Sequence, residues 1–336
     1  MYGRGAERDW RDTELVGKAL LTEKALLTEK ALSAVIARLP LTPGVYRFRD
    51  AAGQVLYVGR ATVLRRRVAS YWLDLRDRRH LTPMVAQVRR IEAVSCDSAH
   101  EAAWLERNLL TTSLPPWNRT VGGQEHPVYI RLDPRPARPG LSVARRPANR
   151  PAVMYFGPYL GGRRARQAVK GLGRVLPLAY TSAELRGTQL DIARARGLAG
   201  ADRGHCVETI TAVLRREPDA VTGVRARLEE LRERAAGVLA FELAADITSE
   251  LRALEWVTSP QRASSMAATD FTASGWSGGV LSSFIVRHGQ VCEWAQAACP
   301  ESDAAAGLAG TPPDWAGFAQ RNAELAAALL SRRAVV

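Results

Sequence analysis

The sequence predicts an α+β protein: a small sheet with helices at residues 39–120, a mainly helical region beyond it, and a short β/α segment near the C-terminus. Three observations carry this. Residues 43–50 and 55–59 are rich in β-branched and aromatic side chains and flank the turn sequence Ala51-Ala-Gly-Gln54, which reads as a β-hairpin with one tyrosine, Tyr46 or Tyr57, on each strand. Ser98-Ala-His-Glu101 is a capping box opening an apolar helix that runs through Leu110 to the stop at Pro115-Pro116. Two helical periods lie in succession at 221–257, with Val224, Leu228, Leu231 and Ala235 on one stripe and Ala244, Ile247, Leu251 and Leu254 on the other, as in an antiparallel helical hairpin.

The remaining elements follow in chain order. Residues 1–38 are expected to be a helical extension. It contains the near-duplicates 19–24 and 25–30, whose six-residue step advances a helix by about 600°, so the apolar pairs do not stay on one face and no coiled coil is expected. A helix carrying Arg65, Arg66 and Arg67 is predicted at 63–72. Residues 121–220 read as a basic linker and helical region, with a strand at 127–132, a Pro/Arg-rich connector at 135–150 and an amphipathic helix near 165–176 that begins after Gly161-Gly-Arg163-Arg164. In the final segment, 264–336, strand-like runs at 280–286 and 290–294 surround the turn Arg287-His-Gly289, and an Ala-rich helix at 315–330 follows.

Composition limits the function. At 336 residues the chain has room for two domains or slightly more, and 46% hydrophobic with 24% charged residues excludes a disordered or fibrous protein. Forty-seven Lys+Arg against 34 Asp+Glu give a net charge of +13 and a pI near 10.2. Residues 41–180 hold 24 of the basic and 9 of the acidic residues, whereas the remainder holds 23 and 25. The positive excess is therefore one contiguous block, as in a module that tracks a phosphate backbone. Cys96, Cys206, Cys292 and Cys299 are too scattered for a zinc ribbon or disulfide framework, and they suit a reducing compartment. The N-terminus is heavily charged and the longest uncharged stretch, 271–286, is broken by Ser and Gly, so no signal sequence or membrane span is expected and a bacterial cytoplasmic location is.

Gly44-Val-Tyr46 and Tyr57-Val-Gly59, with the tyrosines eleven positions apart, resemble the two tripeptides that name the GIY-YIG nucleases. The resemblance narrows to the N-terminal half of UvrC, the incision subunit of bacterial nucleotide excision repair, and to the shorter Cho-type homologues. It extends through Val55-Leu-Tyr-Val-Gly-Arg-Ala61, Leu64-Arg-Arg-Arg-Val68, Ser70-Tyr71, Leu105-Glu106-Arg-Asn-Leu109, Pro116-Trp-Asn118 and Tyr155-Phe-Gly-Pro-Tyr159, covers roughly residues 31–295, and is strongest from 41 to 120.

The resemblance implies a small mixed sheet flanked by helices and a metal-dependent DNA endonuclease. Hydrolysis of a phosphodiester needs a nucleophilic water, stabilisation of charge on the phosphate oxygens and help for the leaving oxygen, which one Mg²⁺ or Mn²⁺ on one carboxylate supplies. Glu106 stands at the matching position; Glu101, five residues earlier and about 140° around the helix, has the capping role. Arg67 and Tyr71 are four apart and share a helix face, so both point to one phosphate. By resemblance Tyr57, helped by Tyr46, is the general base, which requires the Arg cluster and the metal to lower a tyrosine pKa from about 10. Gly59 admits close approach of the backbone, and Arg60 stands where UvrC proteins usually carry Lys. Asn118 is expected to orient the helix end or the phosphate. Arg65, Arg66, Arg163 and Arg164 are candidate contacts to the DNA backbone.

Departures from the UvrC pattern shape the rest. The cysteine cluster of UvrC is reduced to Cys206, so no iron–sulfur centre is expected. The hairpin resembles the UVR motif that docks UvrB, with Phe241, Ala244 and Ile247 as candidate contacts, but Thr248-Ser249 replaces the expected Arg-Asp pair. Past residue 295 the sequence has no counterpart of the RNase H-like domain or the helix-hairpin-helix repeats. The implied activity is thus one 3′-side incision in damaged double-stranded DNA, with UvrB loaded by UvrA. A non-catalytic DNA- or UvrB-binding adaptor and a lesion-independent GIY-YIG nuclease are the alternatives.

Overall fold

Strand β1 (Gly44–Arg49) is buried along nearly its whole length, and β2 (Val55–Ala61) alternates between core and surface. That difference sets their places, since β1 is the central strand and β2 an edge of a sheet ordered β2-β1-β3. The two strands form the predicted antiparallel hairpin with Tyr46 opposite Gly59 and Phe48 opposite Tyr57. This is a computed structural model, and it describes residues 29–73, 76–119, 126–135, 140–181, 185–195 and 202–331. Most of the predicted N-terminal extension, including the duplicated segment up to residue 28, lies outside the described residues; α1 (Glu29–Arg38) is the part within them.

Strand β3 (Arg90–Ser95) pairs antiparallel with β1. The sheet is therefore fully antiparallel rather than mixed. After β2 the chain passes through α2 (Leu64–Leu73), a 3₁₀ turn and α3 (Thr82–Gln87) and returns on the far side of β1, so the two strands that run the same way never touch. Helix α4 (Ala99–Thr112) follows, capped as predicted by Ser98, whose hydroxyl accepts from the Glu101 N–H at 2.9 Å.

Two compact units divide the chain, one containing residues 1–123 and 261–336 and the other residues 124–260. In the first unit, β7 (Phe271–Ser277), β8 (Val280–Arg287) and β9 (Gln290–Ala298) make an antiparallel meander, followed by α10 (Glu301–Ala309) and α11 (Pro313–Leu330). Gly278 and Gly279, both at positive φ, make the tight β7–β8 turn that a two-residue hairpin loop demands. Helix α11 lies on this sheet, with Phe318 and Phe284 rings 4.9 Å apart, and its Leu329 reaches the core around Tyr46, Phe48 and Tyr71.

The second unit joins β4 (Pro127–Leu132), β5 (Leu141–Ala144) and β6 (Met154–Leu160), in the order β5-β4-β6, to five helices: α5 (Gly162–Val175), α6 (Thr188–Ala195), α7 (Arg203–Leu214), α8 (Pro218–Gly237) and α9 (Phe241–Thr258). The predicted connector 135–150 thus contains a strand. Leu141–Ala144 is only four residues long, and Pro and Arg on both sides hide it. The α8–α9 hairpin buries Val224, Leu228, Ile247 and Leu254, as their spacing predicts. No helix among the described residues is long and apolar enough to cross a membrane.

Candidate active site

Three tyrosines converge under the hairpin. Tyr46 points inward from β1 and Tyr71 from α2, both essentially without exposure, while Tyr57 on β2 is half-buried. Their ring centroids are 5.9 to 6.3 Å apart, and the Tyr46 and Tyr71 hydroxyls share a hydrogen bond of 2.7 Å. Arg67, one turn before Tyr71, sets its guanidinium 5.6 Å from the Tyr71 ring centroid. Helical spacing thus brings Arg67 and Tyr71 together as expected.

Gly59 makes this cluster possible. A Cβ at that position would lie 2.5 Å from the Tyr46 hydroxyl and 2.8 Å from the Tyr57 ring, so any larger residue would push the tyrosines apart. The glycine serves close approach of two side chains to the strand.

Glu106 sits on α4 beside this surface. Its Oε1 accepts from the Arg60 backbone N–H at 3.1 Å and its Oε2 lies 3.3 Å from Arg60 Nε. Burial raises the carboxyl pKa above its ordinary value, and the opposing pull of Arg60 and Arg67 does not cancel that. Glu101 faces elsewhere, accepting from Asp97 N at 2.7 Å and Arg262 N at 3.0 Å. The two glutamates therefore separate: Glu101 ties down the chain before α4 and at Arg262, and Glu106 faces β2 next to Tyr57 with Arg60 on its carboxylate. Arg60, whose side chain is 45% exposed, is the partner of Glu106 that the sequence did not reveal; position 60 directly after Gly59 is the only cue.

The side chains around the tyrosines do not by themselves lower a tyrosine pKa. Burial, then the neighbouring Tyr71 hydroxyl and the Glu106 charge, push the Tyr57 pKa up, and Arg67 only partly opposes this. Tyr46 is raised as well, first by burial and then by Tyr71 and Tyr57. Desolvation of the anion outweighs one guanidinium, so both are neutral hydroxyls at neutral pH.

Asn118 contacts β2. Val58 N donates to its Oδ1 at 2.9 Å and its Nδ2 donates to Val58 O at 2.8 Å, while Trp117 N donates to Leu56 O at 3.2 Å. Asn118 thus fixes the strand between Tyr57 and Gly59. Arg65 reaches back to the Leu39 carbonyl at 2.6 Å, whereas Arg66 is exposed. Arg163 and Arg164 are exposed at the start of α5 in the other unit, with Arg164 5.5 Å from the Trp256 ring centroid. Of the three hairpin candidates, Phe241 is 65% exposed, Ala244 is half-buried and Ile247 is packed in the core, where it holds the hairpin and presents nothing to a partner.

Residues 42–119 match the UvrC-like GIY-YIG domain. Curated relatives include UvrABC system protein C of Symbiobacterium thermophilum, 34% identical over 236 residues, which are 67% of this chain and 37% of that protein. The protein of the same name from Nitratidesulfovibrio vulgaris is 34% identical over 241 residues, 68% of this chain and 34% of its own length. The chain spans about a third of the length of these relatives. Among solved structures, the GIY-YIG N-terminal endonuclease domain of UvrC from Thermotoga maritima, bound to magnesium as its catalytic divalent cation, matches with 28% identity and a TM-score of 0.24 over 27% of this chain and 99% of that one.

Proposed function

Residues 42–119 are a GIY-YIG domain of the UvrC type, and from that premise we propose that this protein is a divalent-cation-dependent endonuclease that nicks damaged DNA once, on the 3′ side of a lesion. The observation that carries the reading is the placement of one carboxylate, Glu106, beside Arg67 and three tyrosine hydroxyls. A pure DNA-binding surface has no use for a lone carboxylate facing a polyanion.

The residues present fit a hard divalent cation. Among the described residues no three His, Cys, Asp or Glu side chains converge, so the ion would have Glu106 as its protein ligand and complete its shell with water and phosphate oxygens, as Mg²⁺ readily does and Mn²⁺ also accepts. When bound, it supplies charge stabilisation at the phosphate and at the departing oxygen. Arg67 binds the scissile phosphate, and its cation is strengthened by the surrounding tyrosine hydroxyls even though burial opposes it. Tyr46 and Tyr71, locked to each other, set the position of Arg67. Tyr57 orients the attacking water as a neutral hydroxyl. Asn118 keeps Tyr57 and Gly59 in register from behind, and Arg60, Arg65 and Arg66 lie along the approach of the DNA backbone.

The partner reading rests on the α8–α9 hairpin. Its turn exposes Val238, Leu239, Phe241 and Leu243, four large apolar side chains within six residues, and such a patch calls for a protein partner. UvrB, loaded by UvrA, is the partner we assign to it.

The test is a nicking assay on an end-labelled duplex with one defined adduct, in Mg²⁺ or Mn²⁺, with UvrA and UvrB. Glu106→Ala is expected to keep DNA binding and lose the nick. Undiminished nicking by that variant overturns the reading.

A further inference from the structure

We propose that the open face of the β4–β6 sheet is a binding platform for an unpaired DNA strand. Val128, Ile130 and Leu132 of β4 point into the core of their unit together with Met154 and Phe156 of β6, so Tyr129, Arg131 and Tyr155 alternate onto the other face. Cross-strand register assembles them into one patch. Arg131 is directly opposite Tyr155 on one side and Ser142 on the other, and Tyr129, two residues before Arg131, is opposite Ala144. Two half-exposed tyrosines therefore share a face with Arg131, whose guanidinium is held by Asp133, and the residues beside them on β5 are small.

Charge selects the occupant. Residues 134–183 contain ten Lys/Arg and no Asp or Glu. Arg145, Arg146 and Arg150 are exposed in the segment that leaves β5. The acidic residue nearest the patch, Asp133, is fully buried and neutralised by Arg131 and Arg135. Rings interleaved with arginines bind the two faces of a nucleic-acid strand, bases by stacking and phosphates by charge. A duplex hides its base faces in the stack, so this face distinguishes an unpaired strand from paired DNA. Tyr155 lies in the Tyr155-Phe-Gly-Pro-Tyr159 segment, which the nuclease site leaves unused.

The inference takes from the nuclease reading only that the polyanion is DNA, so it is tested with cleavage switched off. The full chain is titrated in EDTA with a fluorescent oligo-dT strand and with a duplex of equal length, comparing wild type, Tyr129→Ala/Tyr155→Ala, Tyr129→Phe/Tyr155→Phe and Arg145→Gln/Arg146→Gln. The Ala pair is expected to lose about 10-fold or more in single-strand affinity with little change on duplex, and the Phe pair to restore binding, because stacking needs the ring and not the hydroxyl. The Arg variant should lower the single-strand salt slope by about 1.4, or 0.7 for each phosphate contact. Wild-type strand binding by the Ala pair, or equal losses on strand and duplex, overturns the proposal. Lesion-dependent nicking by these variants and by Glu106→Ala in Mg²⁺ reports separately: its loss in Glu106→Ala with unchanged strand binding in the Ala pair leaves the nuclease reading standing and removes this one.

Discussion

The side-chain amide of Asn118 pairs with both backbone groups of Val58, N–H to Oδ1 at 2.9 Å and Nδ2–H to the carbonyl at 2.8 Å, as a neighbouring strand would. These bonds hold β2, and through it Tyr57 and Gly59, which makes Asn118 a positioning residue in the proposed reaction. Asn118→Ala should therefore lower the nicking rate about 10²-fold by letting the water-orienting hydroxyl drift. The salt dependence of DNA binding should stay as in wild type. A reduced salt slope, measured by titration at several salt concentrations, would instead place Asn118 on the DNA.

Gly59 faces a stricter constraint, because the atoms that a Cβ meets belong to the Tyr46 and Tyr57 rings rather than to a flexible side-chain end. Gly59→Ala is expected to fold with the Tyr46 and Tyr57 rings displaced, but to lose nicking by about two orders of magnitude. Circular dichroism and single-turnover nicking separate the two effects. Near-wild-type cleavage would show that the tyrosine cluster tolerates expansion.

Glu106 has its pKa raised by burial, so its carboxylate is lost on acidification earlier than an ordinary glutamate's. Nicking should fall as pH drops through a value above the usual ~4.3. Arg60 is the strongest influence lowering that pKa, so Arg60→Ala should move the acid limb to higher pH. An acid limb at the same pH in both proteins would detach Arg60 from the carboxylate.

Glu92, on β3, behaves in the opposite sense. Burial alone would raise its pKa, but Arg47, Arg90 and Arg49 surround it and hold it at about 2. A depressed carboxylate stabilises the fold above its unfolded value of ~4.3 and loses that contribution as pH falls towards 2. Glu92→Gln should therefore be less stable at neutral pH, with the gap to wild type closing between those two values in denaturant titrations. A gap independent of pH would contradict the ion cluster.

How much of this was legible depended on whether the signal was local. The hairpin, the Ser98 cap, the Arg67–Tyr71 face and the α8–α9 stripes all follow from residues within a few positions of each other, and each stands where the sequence placed it. Strand β3 was hidden because Glu92 and Arg90 interrupt its apolar pattern; the arginines of β1, more than forty residues away, join Arg90 in making that acid acceptable in the core. The raised pKa of Tyr57 was equally hidden, since it comes from burial produced by the packing of α2 and β1 and runs against the arginines that the sequence displays. The Glu106–Arg60 pair joins residues 46 positions apart and likewise leaves no local mark.

The other edge of the β2-β1-β3 sheet is met from equally far along the chain. Asn322 of α11 is fully buried, with Oδ1 accepting from Ser95 N at 2.7 Å and Nδ2 donating to Ser95 O at 3.2 Å and Phe318 O at 3.0 Å. Each edge of the β2-β1-β3 sheet is thus met by one asparagine, Asn118 at β2 and Asn322 at β3, where an unpaired edge would be a template for another chain. Replacing Asn322 with Ala leaves a buried strand N–H without its acceptor, which costs about 1–3 kcal/mol. Asn322→Ala should lower the unfolding midpoint by several degrees and increase aggregation on heating, while nicking at low temperature stays within a few-fold of wild type, because no atom of Asn322 is near Glu106 or the tyrosines. Asp at this position keeps the acceptor but sets its second oxygen against the Ser95 and Phe318 carbonyls, so it should be worse than Ala. An Asp variant as stable as wild type would mean that the Ser95 edge is satisfied by something other than Asn322.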